Sequence, residues 1–481
     1  MNHWSIASQG MDSSSPSRAF FLFFLIAQLG FVLLFSLTGS PYPILLVLVG
    51  FFLLFKIAFS VKNTLFLVCF YIIVLPGYGW GRRYAFYKIF VSYPVVTALI
   101  FAAALFWLAR TALRSERTNR FAAQDFAVLI FLSVIIISAF IGFINGHQTR
   151  YVLKELYFLS MYGIYFLALK GVVQRNWVKQ FWQLLIIATF VVSLQYLFLT
   201  LSEVSAGELF ISRVTTQQPH LAQLAIPYLA SFFFFPSSLR EKLIAFVLSV
   251  SILTMVFLSQ QRSLWIGVFF SILLLWIFYI YRKRVSLLEV VRAIAVVVLF
   301  VVVVISMLLL LDKMFAGSTL ATLAVRVETL TRLSEDQSAL DRMAEIHIAL
   351  GQWKQNIFLG TGLGSTIHRV ATHMSYDILD NSFAFLLWKA GLLGLLSYMT
   401  IIVLFYQRGL AVFRRLDDVE TQRIVASSLS GFSGLMLIAL TNSSLMQYRF
   451  VLIWAVLFAS LEFLYGRSKK EIQTVQSSVR E

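Results

Sequence analysis

The sequence has little charge and almost no cysteine. Only 13% of its 481 residues are Asp, Glu, Lys or Arg, whereas a soluble domain has about a quarter. The single cysteine, Cys69, lies in an apolar run without a partner, which excludes a disulfide framework. Acidic residues are scarce beside Lys and Arg, and the net charge is +17. In a membrane chain such an excess indicates basic cytoplasmic loops and anionic lipid, so we expect no nucleic-acid partner.

Apolar residues make up most of the sequence. The hydrophobic fraction is 59%, enough for about fourteen spans of about twenty residues. The sequence therefore predicts an all-α polytopic membrane protein with about 14 (12–14) transmembrane helices. We place them near 19–38, 43–60, 64–79, 90–109, 125–144, 156–173, 181–201, 221–236, 243–258, 263–281, 290–311, 382–406, 424–441 and 450–465.

The distribution of Lys and Arg predicts the orientation, because cytoplasmic loops are enriched in both. This distribution favours a cytoplasmic location for the two tails, 1–18 and 466–481. The composition of 1–18 and 467–481 also predicts that these stretches are disordered. Helices 1–11 then occupy 19–311 and helices 12–14 occupy 382–465, with the first helix an uncleaved anchor. One long segment, 312–381, lies on the outer side.

Part of this outer segment has the pattern of an amphipathic helix over 338–357. Ser338 and Asp341 resemble a capping box. At 100° per residue, Arg342 falls on the flank of the apolar face, which places its guanidinium at the boundary between protein and water. The apolar residues at helical spacing are Met343, Ile346, Leu350, Trp353 and Ile357.

A few cations lie in short outer loops, against the bias that sets the orientation. Arg262 occupies the tight turn SQQRSLWIG, and Arg150 and Lys154 are four residues apart, on one helix face. These side chains are candidates to bind an anion. The alternative is that they are ordinary anchors at the lipid headgroups.

A polar pair, Asp380 and Asn381, begins the helical sequence DNSFAFLLWKAGLLG. Both residue types favour the helix N-cap position, so capping is the alternative to a catalytic role. Gly391 and Gly394 predict close approach of a neighbouring helix. Lys389 lies within the span, where we expect it to pair or to face a cavity.

Other motifs favour simpler interpretations. The stretch LGTGLGS at 359–365 lacks the preceding strand of a nucleotide-binding fingerprint, so we predict a flexible or re-entrant loop. The spacing of His347, His368 and His373 matches no metal template. The outer loop GSPYP has no acidic residue, which argues for chemistry without a divalent ion. We therefore predict no metal and no cofactor.

Together these motifs resemble the O-antigen ligase/polymerase superfamily of bacterial inner-membrane glycosyltransferases. The resemblance rests on the Gln-Arg turn at Arg262, the outer segment with Arg342 and the G-x-G-x-G stretch, and the pair Asp380–Asn381 followed by nine residues and GxxG. It covers about 150–470 and is strongest over 259–394.

The resemblance implies a GT-C-like fold with a periplasmic cavity for a glycan on undecaprenyl diphosphate. It implies that Arg150, Arg262 and Arg342 bind the diphosphate, to which we add the neighbouring Lys154. Ligases of the family carry a histidine where this chain has Asp380, which favours a polymerase that joins glycan repeats. The expected partners are a lipid-linked glycan donor, a glycan or lipid acceptor and the phospholipid membrane. A chain-length regulator and a flippase are further candidates.

The expected reaction is metal-independent and inverting, with Asp380 as general base and Asn381, Arg262 and Arg342 as further catalytic residues. Because a solvated carboxylate is a weaker base than imidazole near neutral pH, we expect partial enclosure of Asp380 under the 338–357 helix. His368 or His373 is the alternative base. Two other functions stay open, a ligase that transfers glycan to lipid A core and an anion transporter. Transporters, however, place ion-binding groups near mid-membrane, while the polar groups here gather on the outer face.

Overall fold

The computed structural model describes residues 122–171, 175–205, 218–282, 337–369, 374–446 and 448–480, with Cys69 and single residues between 291 and 313. The spans predicted at 19–38, 43–60, 64–79 and 90–109 lie outside the described residues, apart from Cys69. The single residues between 291 and 313 are helical, in agreement with the span predicted at 290–311.

The described chain is almost entirely helical. In chain order the helices are α1 Ala123–Ile144, α2 Thr149–Ser160, α3 Ile164–Gly171, α4 Arg175–Ser205, α5 Ala222–Phe234, α6 Leu239–Leu258, α7 Arg262–Arg282, α8 Gln337–Trp353, α9 Ser382–Arg415, α10 Val419–Ala439 and α11 Tyr448–Arg480. Short 3-10 turns, Met161–Gly163 and Gln218–Leu221, precede α3 and α5. Strands β1 Ile367–Arg369 and β2 Met374–Tyr376 form an antiparallel hairpin in which Ile367 pairs with Tyr376.

Seven of the described helical segments are long and apolar enough to cross a membrane. They coincide with seven predicted spans: Ala123–Ile144, Thr149–Leu169, Asn176–Leu197, Leu239–Leu258, Arg262–Arg282, Ser382–Arg415 and Phe450–Glu471. The protein is therefore a multi-pass helical membrane protein, whereas the count of about fourteen spans and the outer location of 312–381 stay predictions.

Helix α10 lies in the core of the bundle, between α5, α7 and α9. Close packing there depends on small residues: a Cβ on Gly434 would collide with Gly267 and Gln223, and one on Gly431 would collide with the backbone of Gln223. Gln223 donates to the carbonyl of Leu264 and accepts from Ser271, so α5 and α7 are also hydrogen-bonded.

The C-terminal prediction was wrong. Composition predicted disorder over 467–481, but α11 continues as a helix to Arg480. Arg467 pairs with Glu471 one turn later at 2.8 Å, and such i,i+4 pairs support a solvated helix. The polar composition of this stretch is therefore that of a helix extending beyond the apolar part of the bundle.

The contacts define two ends of the bundle. At one end, which we call the Arg282 end, Arg282 donates to the carbonyl of Arg414 and pairs with Asp417. At the other, the Asp380 end, α9 begins after Asn381 and α10 finishes at Ala439. Since α7 finishes at Arg282, its first residue, Arg262, lies towards the Asp380 end.

Candidate functional site

Asn381 caps helix α9. Its side-chain oxygen accepts hydrogen bonds from the amides of Phe383 and Ala384 at 3.0 and 2.9 Å, and its amide nitrogen donates to the carbonyl of Leu440. This satisfies two amides of the first turn, which have no partner within the helix. The capping interpretation therefore holds for Asn381, and it leaves the neighbouring Asp380 carboxylate outside the cap.

Arg342 of helix α8 contacts Asp380 directly. Its Nε lies 3.2 Å from Oδ2 of Asp380, and the two side chains are 27% and 37% exposed. The carboxylate is thus partly enclosed by α8, and the guanidinium lies at the boundary between protein and water. The enclosure of Asp380 and the placement of Arg342 both agree with the prediction.

The other residues of α8 show which side of this helix packs against the protein. Glu345 and Ala349 are buried on the protein side, together with the partly buried Arg342 and Ile346, whereas Met343 is 69% exposed. Met343 therefore lies on the side of α8 that faces away from the protein. Periodicity alone does not predict this, because it does not distinguish a face buried in protein from an apolar face open to the outside.

A second ion pair lies next to the first. Lys154 of α2 binds Asp377 with an Nζ–Oδ2 distance of 2.7 Å. Asp377 precedes Asp380 by three residues, in the link between β2 and α9, so this short link carries two carboxylates held by cations from different helices. Arg150 lies one turn before Lys154 on α2 and is exposed. Sequence reasoning missed Asp377, although a second acidic residue in YDILDN was visible.

Arg262 is the first residue of α7 and is half-buried. The turn before it is tight, since Gln260 has a φ of 53°, a left-handed conformation that few residues other than glycine adopt. The indole of Trp265 donates to the carbonyl of Val256 at 3.0 Å, which fixes α7 against α6 at this turn. The structure thus places all four predicted cations towards the Asp380 end. The convergence of Arg150, Arg262 and Arg342 on one diphosphate stays a prediction.

The glycine-rich loop at 359–365 is tightly packed rather than flexible. Gly360, Gly362 and Gly364 have φ values of 71°, 88° and 80°. A Cβ on Gly360 would lie 2.6 Å from the amide nitrogen of Gly391, and the other two glycines lie against Gly142 and Val152. The loop therefore passes between α1, α2 and α9, which agrees with the re-entrant alternative.

Helix α9 is interrupted where this loop meets it. Gly391 has φ 66° and ψ −166° inside α9, and the amides of Leu392 and Leu393 bind the carbonyls of Ile357 and Phe358. In return, the loop amides of Thr361 and Gly362 bind the carbonyls of residues 388 and 389. The sequence predicted that a neighbouring helix approaches closely at Gly391, but the segment that lies against this residue is the glycine-rich loop. The loop also provides hydrogen-bond partners for the backbone groups that the break in α9 leaves unpaired.

Lys389 pairs with Glu155 in the interior. Its Nζ lies 2.7 Å from Oε1 of Glu155, and the two side chains are 0% and 3% exposed. Lys389 also donates to the carbonyl of Ser365, and the second oxygen of Glu155 accepts from the Gly364 amide at 2.7 Å. The prediction that Lys389 pairs within the span is confirmed. Its partner, 234 residues earlier in the chain, was not foreseen.

The histidines occupy different places. Nε2 of His147 lies 3.0 Å from the carbonyl of Thr361; His347 is exposed on α8, and His368 lies on β1 opposite Ser375. His373 lies outside the described residues. In the part of the chain that the structure describes, no three His, Cys, Asp or Glu side chains form a group that could hold a metal ion. The alternative in which His368 acts as base stays open.

A known protein family resembles part of the chain. Residues 244–399 match the family model described as O-Antigen ligase, while no curated protein matches the chain significantly. The matched region runs from α6 beyond the break in α9 and contains Arg262, Arg342, Asp380 and Asn381. It confirms the resemblance to the O-antigen ligase/polymerase superfamily that the motifs indicated.

Proposed function

We propose that the protein is a polymerase that joins glycan repeat units carried on undecaprenyl diphosphate, as a metal-independent, inverting glycosyltransferase. The family match supports a membrane glycan ligase or polymerase in general. The choice of polymerase rests on the carboxylate at position 380, where the superfamily's ligases carry histidine.

The contact between Arg342 and Asp380 is the observation that carries this proposal. It puts a proton acceptor beside a fixed positive charge at a partly exposed surface. Glycosyl transfer from a lipid diphosphate uses the first group at the acceptor hydroxyl and the second at the leaving group. A guanidinium has five N–H donors. Because Nε is the atom nearest Asp380, the terminal nitrogens of Arg342 have donors left for phosphate oxygens.

In the proposed reaction an acceptor hydroxyl attacks the anomeric carbon of the donor. The bond from that carbon to the diphosphate oxygen breaks, and its electron pair leaves with the undecaprenyl diphosphate. The hydroxyl proton passes to Asp380. Attack from the face opposite the leaving group inverts the anomeric configuration.

The cations stabilise the charge that grows on the leaving diphosphate. Arg262 and Arg342 act on the reacting oxygens, while Arg150 and Lys154 bind the diphosphate. Each hydrogen bond to a charged group contributes about 1.5–3 kcal/mol, and fixed groups act without reorganising as the bond breaks. Three such bonds correspond to several orders of magnitude in rate. Asn381 contributes by capping α9 and so fixing the backbone next to Asp380.

We propose that the protein lies in the bacterial inner membrane, with the site on the periplasmic face and both termini in the cytoplasm. The charges at the two ends of the bundle support this orientation. Arg414 and Arg415 are exposed at the Arg282 end, and the exposed Lys469 and Lys470 lie on α11. In cytoplasmic loops such clusters are expected. The cations at the Asp380 end include Lys154 and Arg342, each paired with a carboxylate. A chain-length regulator and a flippase are the proposed partners there.

Ligation is the second candidate, because the matching family is described as O-Antigen ligase. Purified protein incubated with undecaprenyl-diphosphate-linked repeat units separates the two. A ladder of products supports the polymerase. A single shifted product that forms only with an added acceptor lipid supports the ligase instead, and the absence of both products contradicts the enzymatic proposal. The same reaction with a chelator tests metal independence.

A further inference from the structure

The buried pair Glu155–Lys389 joins the three chain segments that carry the candidate site. Glu155 follows Lys154 on α2, and Lys389 lies about two turns into α9, the helix that begins just after Asp380. Gly364 and Ser365, to which the pair is hydrogen-bonded, lie in the loop that follows α8, the helix of Arg342.

The hydrogen bonds of this pair fix three segments relative to one another. One oxygen of Glu155 binds Lys389 and the other binds the Gly364 amide. Lys389 also binds the Ser365 carbonyl, and its Nζ lies 4.1 Å from the centre of the Trp388 ring. Each hydrogen bond crosses from one segment to another, so α2, the loop and α9 meet at one point.

Stability alone does not explain such a pair. Moving two charges out of water is costly, and well-packed apolar residues of similar volume often stabilise a fold equally well or better. The best-attested use of a buried polar group is to select one register among several packings of similar energy. The three segments joined here adjoin the residues of the two surface contacts, Lys154–Asp377 and Arg342–Asp380.

We propose that Glu155 and Lys389 are positioning residues for glycosyl transfer, which hold the α2 cation, Arg342 and Asp380 in the productive arrangement without touching substrate. This inference rests on the proposed function. Misplacement of reacting groups by about 1 Å costs about 10²-fold in rate, so a loosened pair lowers kcat while the folded bundle persists.

The test uses the full-length protein with the double change E155Q/K389M. Both new side chains are uncharged and similar in length, and the glutamine amide introduced by E155Q retains an acceptor for the Gly364 amide. The matched control is R408M/E462Q, which removes the Arg408–Glu462 pair (3.4 Å) further along the same helix, in the half towards the Arg282 end. Turnover of lipid-linked repeat units and thermal unfolding are measured for both.

For E155Q/K389M we expect an unfolding temperature close to that of the wild type and a kcat lower by about 10²-fold, with the donor KM little changed. The control retains its kcat. A kcat equal to that of the wild type in E155Q/K389M overturns the inference, because it shows that neutral residues can replace the pair without loss of activity. If the double variant does not fold, Glu155→Asp takes its place under the same criteria, because it keeps the counter-charge of Lys389 while the shorter side chain loosens the bonds to Lys389 and Gly364.

A second measurement needs no activity. Spin labels at the exposed positions Leu153 on α2 and Met343 on α8, in a Cys69→Ala background, report the distance between the two helices. We expect a narrow distribution in the parent and a broad or shifted one in E155Q/K389M. An unchanged distribution overturns the inference. A wild type that makes neither ladder nor transfer product contradicts the proposed function instead, while the label distances still decide whether the pair sets the register.

Discussion

The Nε atom of Arg342 lies 3.2 Å from Oδ2 of Asp380, and this contact joins the surface helix α8 to the start of α9. The two residues are 38 positions apart, in a region that matches one family model. In the proposed reaction Asp380 is the base and Arg342 a cation at the leaving group, so a change in either is expected to affect the chemical step.

Asp380→Asn tests the base. The amide keeps the size of the side chain and an acceptor for Arg342, but it takes up no proton. We expect kcat in the ladder assay to fall by about 10²–10⁴-fold, with normal protein levels because Asn381 still caps α9. Asp380→Glu, which keeps the carboxylate, should retain part of the activity. Wild-type turnover in Asp380→Asn would move the base elsewhere, with His368 and His373 as the next candidates.

Arg262→Ala tests the charge at the turn before α7. Loss of one hydrogen bond to a charged group, about 1.5–3 kcal/mol, corresponds to about a 10- to 150-fold loss of rate. We expect cells to lose polysaccharide while the membrane content of the protein is unchanged. Arg415→Ala, at the opposite end, is the matched control and should leave the glycan intact. Intact glycan in Arg262→Ala would argue against this residue as a diphosphate ligand.

Changes in the Lys154–Asp377 pair should have opposite effects on donor binding. Lys154→Met removes a cation, so the KM for the lipid-linked donor should rise. Asp377→Asn removes the carboxylate that competes with diphosphate for Lys154, so the KM should fall. Both values come from initial rates at constant ionic strength, because exposed charges are screened by salt. A change in the same direction in both variants would show that the pair has no direct role in donor binding.

The break in α9 predicts a sharp difference between two glycines. Gly391→Ala places a Cβ about 2.5 Å from the Gly360 amide at a positive φ, and the φ alone costs about 1–3 kcal/mol. Thermal unfolding of the purified protein should shift clearly downwards. Gly351→Ala in α8 meets nothing within 4 Å and should stabilise by about 0.5–1 kcal/mol. Equal unfolding temperatures in the two variants would contradict the packed-loop arrangement.

Local sequence patterns predicted the parts of the fold that depend on local properties. Seven spans and the start of the helix around Arg342 lie where apolar runs and helical spacing placed them, although this helix ends at Trp353 and not at 357. One start differed more than the other starts: the span predicted from 156 begins at Thr149. The earlier start includes Lys154 and Glu155, and each of these charges is neutralised by a partner from a distant part of the chain.

The site was only partly visible for the same reason. Asp380 and Arg342 follow from residue type and motif spacing. The Lys389–Glu155 pair, the role of Asp377 and the insertion of the glycine-rich loop at Gly391 depend on which distant segments meet. The periodicity of a sequence does not predict which distant segments meet, because these contacts depend on packing between helices.

The separation of Glu155 from Lys389 has a consequence for biogenesis. Ribosomes make α2 long before α9, so the glutamate reaches the bilayer 234 residues ahead of its counter-ion. An unmatched charge is unfavourable within lipid, and α2 should therefore settle at its final depth only once α9 has inserted. Truncated chains that stop short of α9 would then leave α2 shallow and accessible to water-soluble reagents, and the site would form late in the maturation of the protein.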